Sequence, residues 1–264
     1  MLEKNQFDTT LKIFESHAHY DDEQFDDDRE SLLENLYENG VETVVNIGAS
    51  LESCKGTLDI ANKYAHVYAA IGIHPDMVGE LNEETFAWLK AQFQNPKVVA
   101  VGEIGLDYYW DKEKHDVQKK WFIQQLQLAE ELDLPVVIHS REATEDTLAI
   151  IKEYGKSLKG VVHCFSGSVE IAKEYVKMGY YLGIGGVVTF KNSKKLKEVV
   201  EAVPLDSLVV ETDCPYLAPT PFRGKRNSSL LLPYVVQEIA GIKQVSYEEV
   251  VATTRKNGKK LYGI

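Results

Sequence analysis

The chain is poor in cysteine: Cys54, Cys164 and Cys214 are its only three in 264 residues, and no two stand in a CxxC spacing. That excludes a disulfide framework and a cysteine-built zinc cage, and it points to a reducing, cytoplasmic setting. No apolar run approaches the ~20 residues that a membrane helix needs, and the polar opening from Met1 to Thr10 lacks the pattern of a secretory signal. A soluble protein with no membrane association is therefore expected. Basic charge is also scarce, since 29 Lys and Arg against 41 Asp and Glu leave a net charge of −12. This argues against a nonspecific duplex binder with a basic face, so a polyanionic substrate would need local neutralisation. Two sources suggest themselves: metal ions, and the basic loop Arg223-Gly224-Lys225-Arg226. No Ser/Gly-rich linker, low-complexity tract or short repeat divides the chain, which reads as one domain over residues 1–264 with no obligate protein partner.

What is present is an alternation of short β-rich runs with amphipathic stretches. The runs lie near residues 12–16, 42–47, 67–73, 97–103, 135–139, 160–164, 180–184 and 207–211. Helical periodicity fills the gaps, as in Arg29 to Asn39, Val117 to Leu132 and Val169 to Met178, with Gly40 and Gly179 as stops. Eight β–α repeats in one domain predict a (β/α)8 TIM barrel, with an open doubly wound sheet as the alternative.

Polar residues punctuate the ends of these runs. His17-Ala18-His19 closes the first, and side chains two apart on a strand point the same way, so both imidazoles can reach one ion. Glu103, His139, His163 and Asp213 end the fourth, fifth, sixth and eighth runs. Each has a duller reading: Asp213 could cap a turn, Glu103 could sit in a rim ion pair, and His139 could be a satisfied core group. Together they repeat one theme, because core packing does not favour imidazole and carboxylate at five strand ends. In a closed barrel these ends converge on one mouth. Nitrogen and oxygen ligands suit zinc, manganese or magnesium, and six ligands are too many for one tetrahedral ion. The expected site is two divalent ions roughly 3.5–4 Å apart, His17, His19 and Asp213 on one, His139 and His163 on the other, and Glu103 bridging. Water acidified by such ions would attack an electrophile, with Asp213 as the proton acceptor. His66 and His115 fall outside the pattern and read as ordinary surface or helix residues. Asp26-Asp27-Asp28 reads as a solvated helix start.

These motifs resemble those of the TatD family of metal-dependent hydrolases. The resemblance runs through His17-Ala18-His19-Tyr20-Asp21, Gly72-Ile73-His74-Pro75, the specific string GEIGLDYY at 102–109, Ile138-His139-Ser140-Arg141 and His163-Cys164-Phe165-Ser166-Gly167. It continues in Glu211-Thr212-Asp213, Pro215-Tyr216-Leu217 and Arg223-Gly224-Lys225-Arg226-Asn227. It implies a (β/α)8 barrel, divalent metals and deoxyribonuclease activity, often 3′-to-5′ on single strands. By resemblance the metal ligands are His17, His19, Glu103, His139, His163 and Asp213, and His74 is a phosphate or substrate contact. Arg141, Arg223 and Arg226 look suited to phosphate oxygens, because guanidinium forks match phosphate geometry. Tyr108, Tyr109 and Trp110 could stack on bases or pack over neighbouring helices, and the stretch Lys191 to Lys197 could attract a nucleic-acid backbone or be a solvated helix face.

Three departures from the family pattern stand out: Glu15 for an aspartate, Glu142 for an aspartate, and Ser228-Ser229 where Glu-Pro commonly follows Asn227. None removes a ligand. The leading expectation is two-metal hydrolysis of DNA phosphodiesters, with single-stranded ends as substrate. A small-molecule metallohydrolase of lactonase, amidase or phosphotriesterase type is the alternative, although strand 4 ends in Glu103 and not in a lysine that could be carbamylated. A non-catalytic nucleic-acid-binding barrel is the third reading.

Overall fold

A computed structural model describes residues 7–110 and 114–264; the first six residues of the polar opening lie outside it. In chain order the elements are β1 (Ile13–Ala18), α1 (Arg29–Asn35), β2 (Val41–Gly48), α2 (Leu51–Lys63), β3 (Val67–Ile71), α3 (Glu83–Gln92) and β4 (Val98–Asp107). They continue with α4 (His115–Leu132), β5 (Val136–Arg141), α5 (Thr144–Tyr154), β6 (Gly160–Val162), α6 (Val169–Lys177), β7 (Tyr181–Ile184), α7 (Lys194–Ala202), β8 (Leu208–Val210), α8 (Leu232–Lys243) and α9 (Tyr247–Tyr262). The eight strands pair in parallel in sequence order, β1 to β8. The fold is the expected (β/α)8 barrel.

Local chemistry supports each layer. Strands covered on both sides read as continuous apolar runs, and all ten residues of β4 are buried. Helices start on side-chain caps: Ser50 accepts from the Ser53 N–H, Ser246 from the Glu249 N–H, and Asn82 forms a reciprocal capping box with Thr85. In α4 the residues Gln118, Trp121, Phe122, Gln125 and Ala129 are buried, the three-and-four spacing of a helix laid against a sheet.

The barrel closes where its first and last strands meet. The Asp213 N–H donates to the His17 carbonyl at 3.0 Å, the His19 N–H to the Cys214 carbonyl at 2.9 Å, and Ser16 Oγ to the Val210 carbonyl at 2.9 Å. At the opposite end, α9 plugs the floor. Tyr262 stacks on Phe14 with ring centroids 5.9 Å apart and donates to the Ser16 carbonyl at 2.8 Å, while Leu261 joins the apolar cluster of Val45, Val137 and Val209.

Two strands outrun their expected ends. Strand β1 reaches Ala18 where the apolar pattern stopped near residue 16, and β4 reaches Asp107 where it stopped near 103. Polar side chains inside a sheet hide a strand from a hydrophobic pattern. Gly105 belongs to this extension: at φ +148°, paired with His139, a side chain there would overlap the His139 carbonyl.

The floor contact predicts opposite effects for two helical glycines. A methyl at Gly258 of α9 would lie 2.5 Å from the Phe14 ring, so Gly258→Ala should cost about 1–3 kcal/mol through overpacking. Gly241 of α8 has nothing within 4 Å of the added carbon, so Gly241→Ala should stabilise by about 0.5–1 kcal/mol. Urea denaturation of both variants checks this, and a shift of the same sign in both would count against the plugged floor.

Candidate metal centre

The C-terminal ends of the strands gather imidazoles and carboxylates. His17 lies within β1 and is fully buried, and the seam with the last strand sets Asp213 beside it. Asp213 takes a left-handed backbone, φ 56°, a conformation that costs a non-glycine residue of order 1–3 kcal/mol and clusters at functional sites. The strand-end residues then meet in two sets. In the first, His17 Nε2, His19 Nε2 and Asp213 Oδ1 lie 3.1, 3.4 and 3.5 Å from one another. In the second, Glu103 Oε1 is 2.8 Å from His139 Nδ1 and 2.6 Å from His163 Nε2, and those nitrogens are 3.1 Å apart. Glu103 joins the sets, because its Oε2 faces His17 Nε2 at 3.5 Å and His19 Nε2 at 3.7 Å.

Donor chemistry and spacing both fit divalent cations. Ligand atoms 2.0–2.1 Å from a tetrahedral ion stand about 3.3–3.4 Å apart, which matches the first set. The second is tighter, drawn in by hydrogen bonds between the Glu103 carboxylate and two imidazoles. Both sets form groups able to hold a metal ion, and the second carboxylate oxygen of Glu103 lies between them.

Electrostatics show what the crowding costs. Burial pushes His17 down to about 4, helped by the neighbouring His163. Burial opposes charge on His19 and His139 as well, but Asp213 and Glu103 outweigh it at His19, raising it to about 10, and Asp107 and Glu103 do so at His139, raising it to about 9. Burial would also raise Glu103, yet His163, His139 and His17 hold it well below the usual carboxylate range. Protons on His19 and His139 thus occupy places where a cation would sit.

Outer contacts orient the rings. His19 Nδ1 meets the Ile47 carbonyl at 2.9 Å, and His139 Nε2 meets Asp107 Oδ2 at 3.1 Å. Asp107 is itself fixed: it accepts from the Tyr109 N–H at 2.9 Å, and Gln118 bonds its backbone N–H and carbonyl at 3.0 and 2.9 Å. Sequence reasoning did not assign Asp107 a role, although a usable signal existed. Glu103, Gly105 and Asp107 are two apart on one strand and share a face. Glu15, noted only as a departure, is a buried strut accepting from Thr212 N–H, Thr212 Oγ1, Ser229 Oγ and the His17 N–H at 2.9, 2.7, 2.9 and 3.2 Å. Ser229, another departure, is one of its donors.

His74 stands at the edge of this cluster, opening the short 3₁₀ turn Pro75–Glu80. Its Nδ1 accepts from the Asp76 N–H at 3.2 Å, so the ring proton of neutral His74 belongs on Nε2, which lies 3.8 Å from Glu103 Oε1. Burial, with His139 beside it, pushes His74 down to about 3, which keeps it a neutral donor.

The rim residues divide. Arg141 lies 3.9 Å above the Tyr109 ring and 5.4 Å from Trp110, and both aromatics are exposed. Tyr108 instead stacks on His115 at 3.6 Å and bonds Asp146 at 2.6 Å, the packing reading. Arg223 covers Phe190 at 4.3 Å. Arg226 holds Asp28 in its fork at 2.8 and 2.6 Å, so a phosphate would have to displace that pair. The same contact revises the acidic run, since Asp28 precedes α1 without capping it and holds Arg226 instead. His66 is remote in sequence from every set above, on the turn before β3, and Lys194–Lys197 open α7.

A parallel eight-stranded barrel with metal-binding residue types at its strand ends defines the class of metallohydrolase barrels. The comparison with known proteins narrows it: the pattern of the TatD related DNase family matches residues 14–263, and the chain belongs to that family. It is 46% identical over 253 residues to YabD, an uncharacterized metal-dependent hydrolase of Bacillus subtilis, covering 96% of this chain and 99% of that one. It is 34% identical over 256 residues to YcfH, an uncharacterized metal-dependent hydrolase of Escherichia coli, covering 96% of each. The crystal structure of YjjV, a TatD homolog from Escherichia coli, superposes with a TM-score of 0.90 at 31% identity over 96% of this chain and 99% of that one. The chain is accordingly a metal-dependent hydrolase.

The proton inventory predicts how metal binding depends on pH. His19 and His139, raised to about 10 and 9, are protonated at pH 7, and a ligand nitrogen must be bare, so metal uptake by metal-free protein releases protons. Affinity should rise as pH increases from 6 to 8. Calorimetry in buffers of different ionisation enthalpy measures the release, and pH-independent binding with no proton exchange would contradict these charge states.

Proposed function

We propose that this chain hydrolyses phosphodiester bonds of DNA with two divalent ions, zinc, magnesium or manganese, working from the 3′ ends of single strands. The observation that carries the reading is Glu103, which turns one oxygen to each ligand set. His17, His19 and Asp213 would hold one ion, and His139 and His163 the other. Bound ions would supply Lewis-acid polarisation and acidify water. They would also neutralise a phosphate locally in a chain whose net charge is −12. The family description, TatD related DNase, supports DNA as the substrate.

The protein's own groups take the remaining roles. Asp213, its side chain 17% exposed while that of His17 is 0%, accepts the proton of the attacking water. His74 offers its Nε2–H to a non-bridging oxygen, a preorganised neutral donor that needs no charge of its own. Arg141 with Tyr109 and Trp110 forms an exposed cation and aromatic rim on which a flanking base can stack. The three cysteines are unpaired, which fits a reducing cytoplasm.

End-labelled single- and double-stranded DNA, incubated with magnesium, manganese or zinc beside a chelated control, tests the reading. Shortening from one end is expected, reduced about 10²–10⁴-fold in Asp213→Asn. His74→Ala should lose about 10²-fold in kcat while keeping its metal content. Intact DNA alongside rapid turnover of a lactone or amide panel would overturn the assignment in favour of a small-molecule hydrolase.

Metal analysis gives a separate check. Saturated protein should hold two ions per chain and His139→Ala fewer, whereas one ion or less in the parent protein would sink the two-metal arrangement.

A further inference from the structure

Two of the four metal-facing imidazoles have their far nitrogen held, His19 by the Ile47 carbonyl and His139 by Asp107. The other two do not: His17 Nδ1 and His163 Nδ1 are buried without a hydrogen-bond partner among the described residues. The same is true of one oxygen of Glu211, Oε2. These loose ends lie together. The rings of His17 and His163 stack with centroids 4.0 Å apart at 10°, His163 Nδ1 is 4.0 Å from Glu211 Oε1, and atoms of His17, His163 and Glu211 all fall within 4.8 Å of one another.

The space for Glu211 is built. Gly183 of β7 faces it, and any side chain there would overlap Glu211 Oε2. The carboxylate also accepts the backbone N–H of Cys164, the residue after His163, which is held in a left-handed conformation at φ 44°. A fully buried carboxylate with one backbone donor and two imidazoles around it is an expensive structural filler. Glu15, equally buried, shows what a structural carboxylate looks like here, with backbone N–H donors on one oxygen and hydroxyl donors on the other.

We infer that Glu211 is a positioning residue for both His17 and His163. It draws the ring proton to Nδ1, so that each Nε2 keeps a bare lone pair toward the ligand sets. Carboxylates behind ligating histidines act in this way in metal sites generally. This rests on the metal-centre reading and is independent of which substrate is cut.

The test compares Glu211→Gln with Tyr180→Phe, which removes a buried hydrogen bond to the Gly155 carbonyl ahead of β7, in the full chain, using zinc competition with a chromophoric chelator and thermal denaturation of the metal-free proteins. Glu211→Gln keeps the shape and an acceptor for Cys164, and it should bind zinc about 10–100-fold more weakly. Tyr180→Phe should lower the metal-free denaturation midpoint and leave zinc affinity unchanged. Parent-level zinc affinity in Glu211→Gln, an equal loss in both variants, or loss of one whole equivalent, which would make Glu211 a ligand, each overturns the assignment. Histidine ¹⁵N NMR of the zinc-loaded parent protein covers a variant that fails to fold: Nδ1 of His17 and His163 should carry the proton, and a proton on either Nε2 would refute the role. Failure of the parent protein to bind zinc would overturn the metal centre itself, a distinguishable result.

Discussion

The seam between the first and last strands is the constraint on which the rest depends. Two backbone hydrogen bonds, Asp213 to His17 and His19 to Cys214, tie residues about two hundred positions apart and close the barrel at its mouth. Such closure carries a loop-entropy cost that local contacts cannot offset, so it is reinforced. Glu15 reaches from β1 to Thr212 and Ser229, and Tyr262 clamps Ser16 from below. These struts brace the seam across which His17, His19 and Asp213 stand in register.

The second constraint is charge. Glu103, Glu15 and Glu211 are all buried within the mouth, where isolated carboxylates are costly. They are accommodated in three ways: Glu103 among imidazoles, Glu15 among hydroxyls and backbone N–H groups, and Glu211 with one donor and an open oxygen. Left-handed backbone at Asp213, Cys164 and Glu142 adds conformational cost in the same region. The barrel wall and the plugged floor carry the stability that this mouth gives up, a division common where function requires strained, polar sites.

Much of this was legible in the chain. The eight β-rich runs, the stops at Gly40 and Gly179, and all six strand-end residues could be read from periodicity and residue type. The illegible part has consistent causes. Asp107 was hidden because β4 continues through GEIGLD, where glycines and carboxylates interrupt the apolar pattern. Glu211 was passed over beside Asp213, although the two point into different surroundings. Arg226 looked like a phosphate fork because a sequence cannot show that Asp28 reaches it from nearly two hundred residues away.

The sequence by itself determined the order of elements, the barrel and the chemistry of the mouth, because backbone periodicity and side-chain type are local properties. Only the tertiary structure decided which atoms share a partner: that Glu103 faces both sets, that His74 carries its proton on Nε2, that Arg226 is committed elsewhere, and that Glu211 meets two unpartnered imidazoles. Most of those facts depend on close approach between residues far apart in sequence, such as Glu103 and His163 at 2.6 Å, which comes into being when the ring of strands closes.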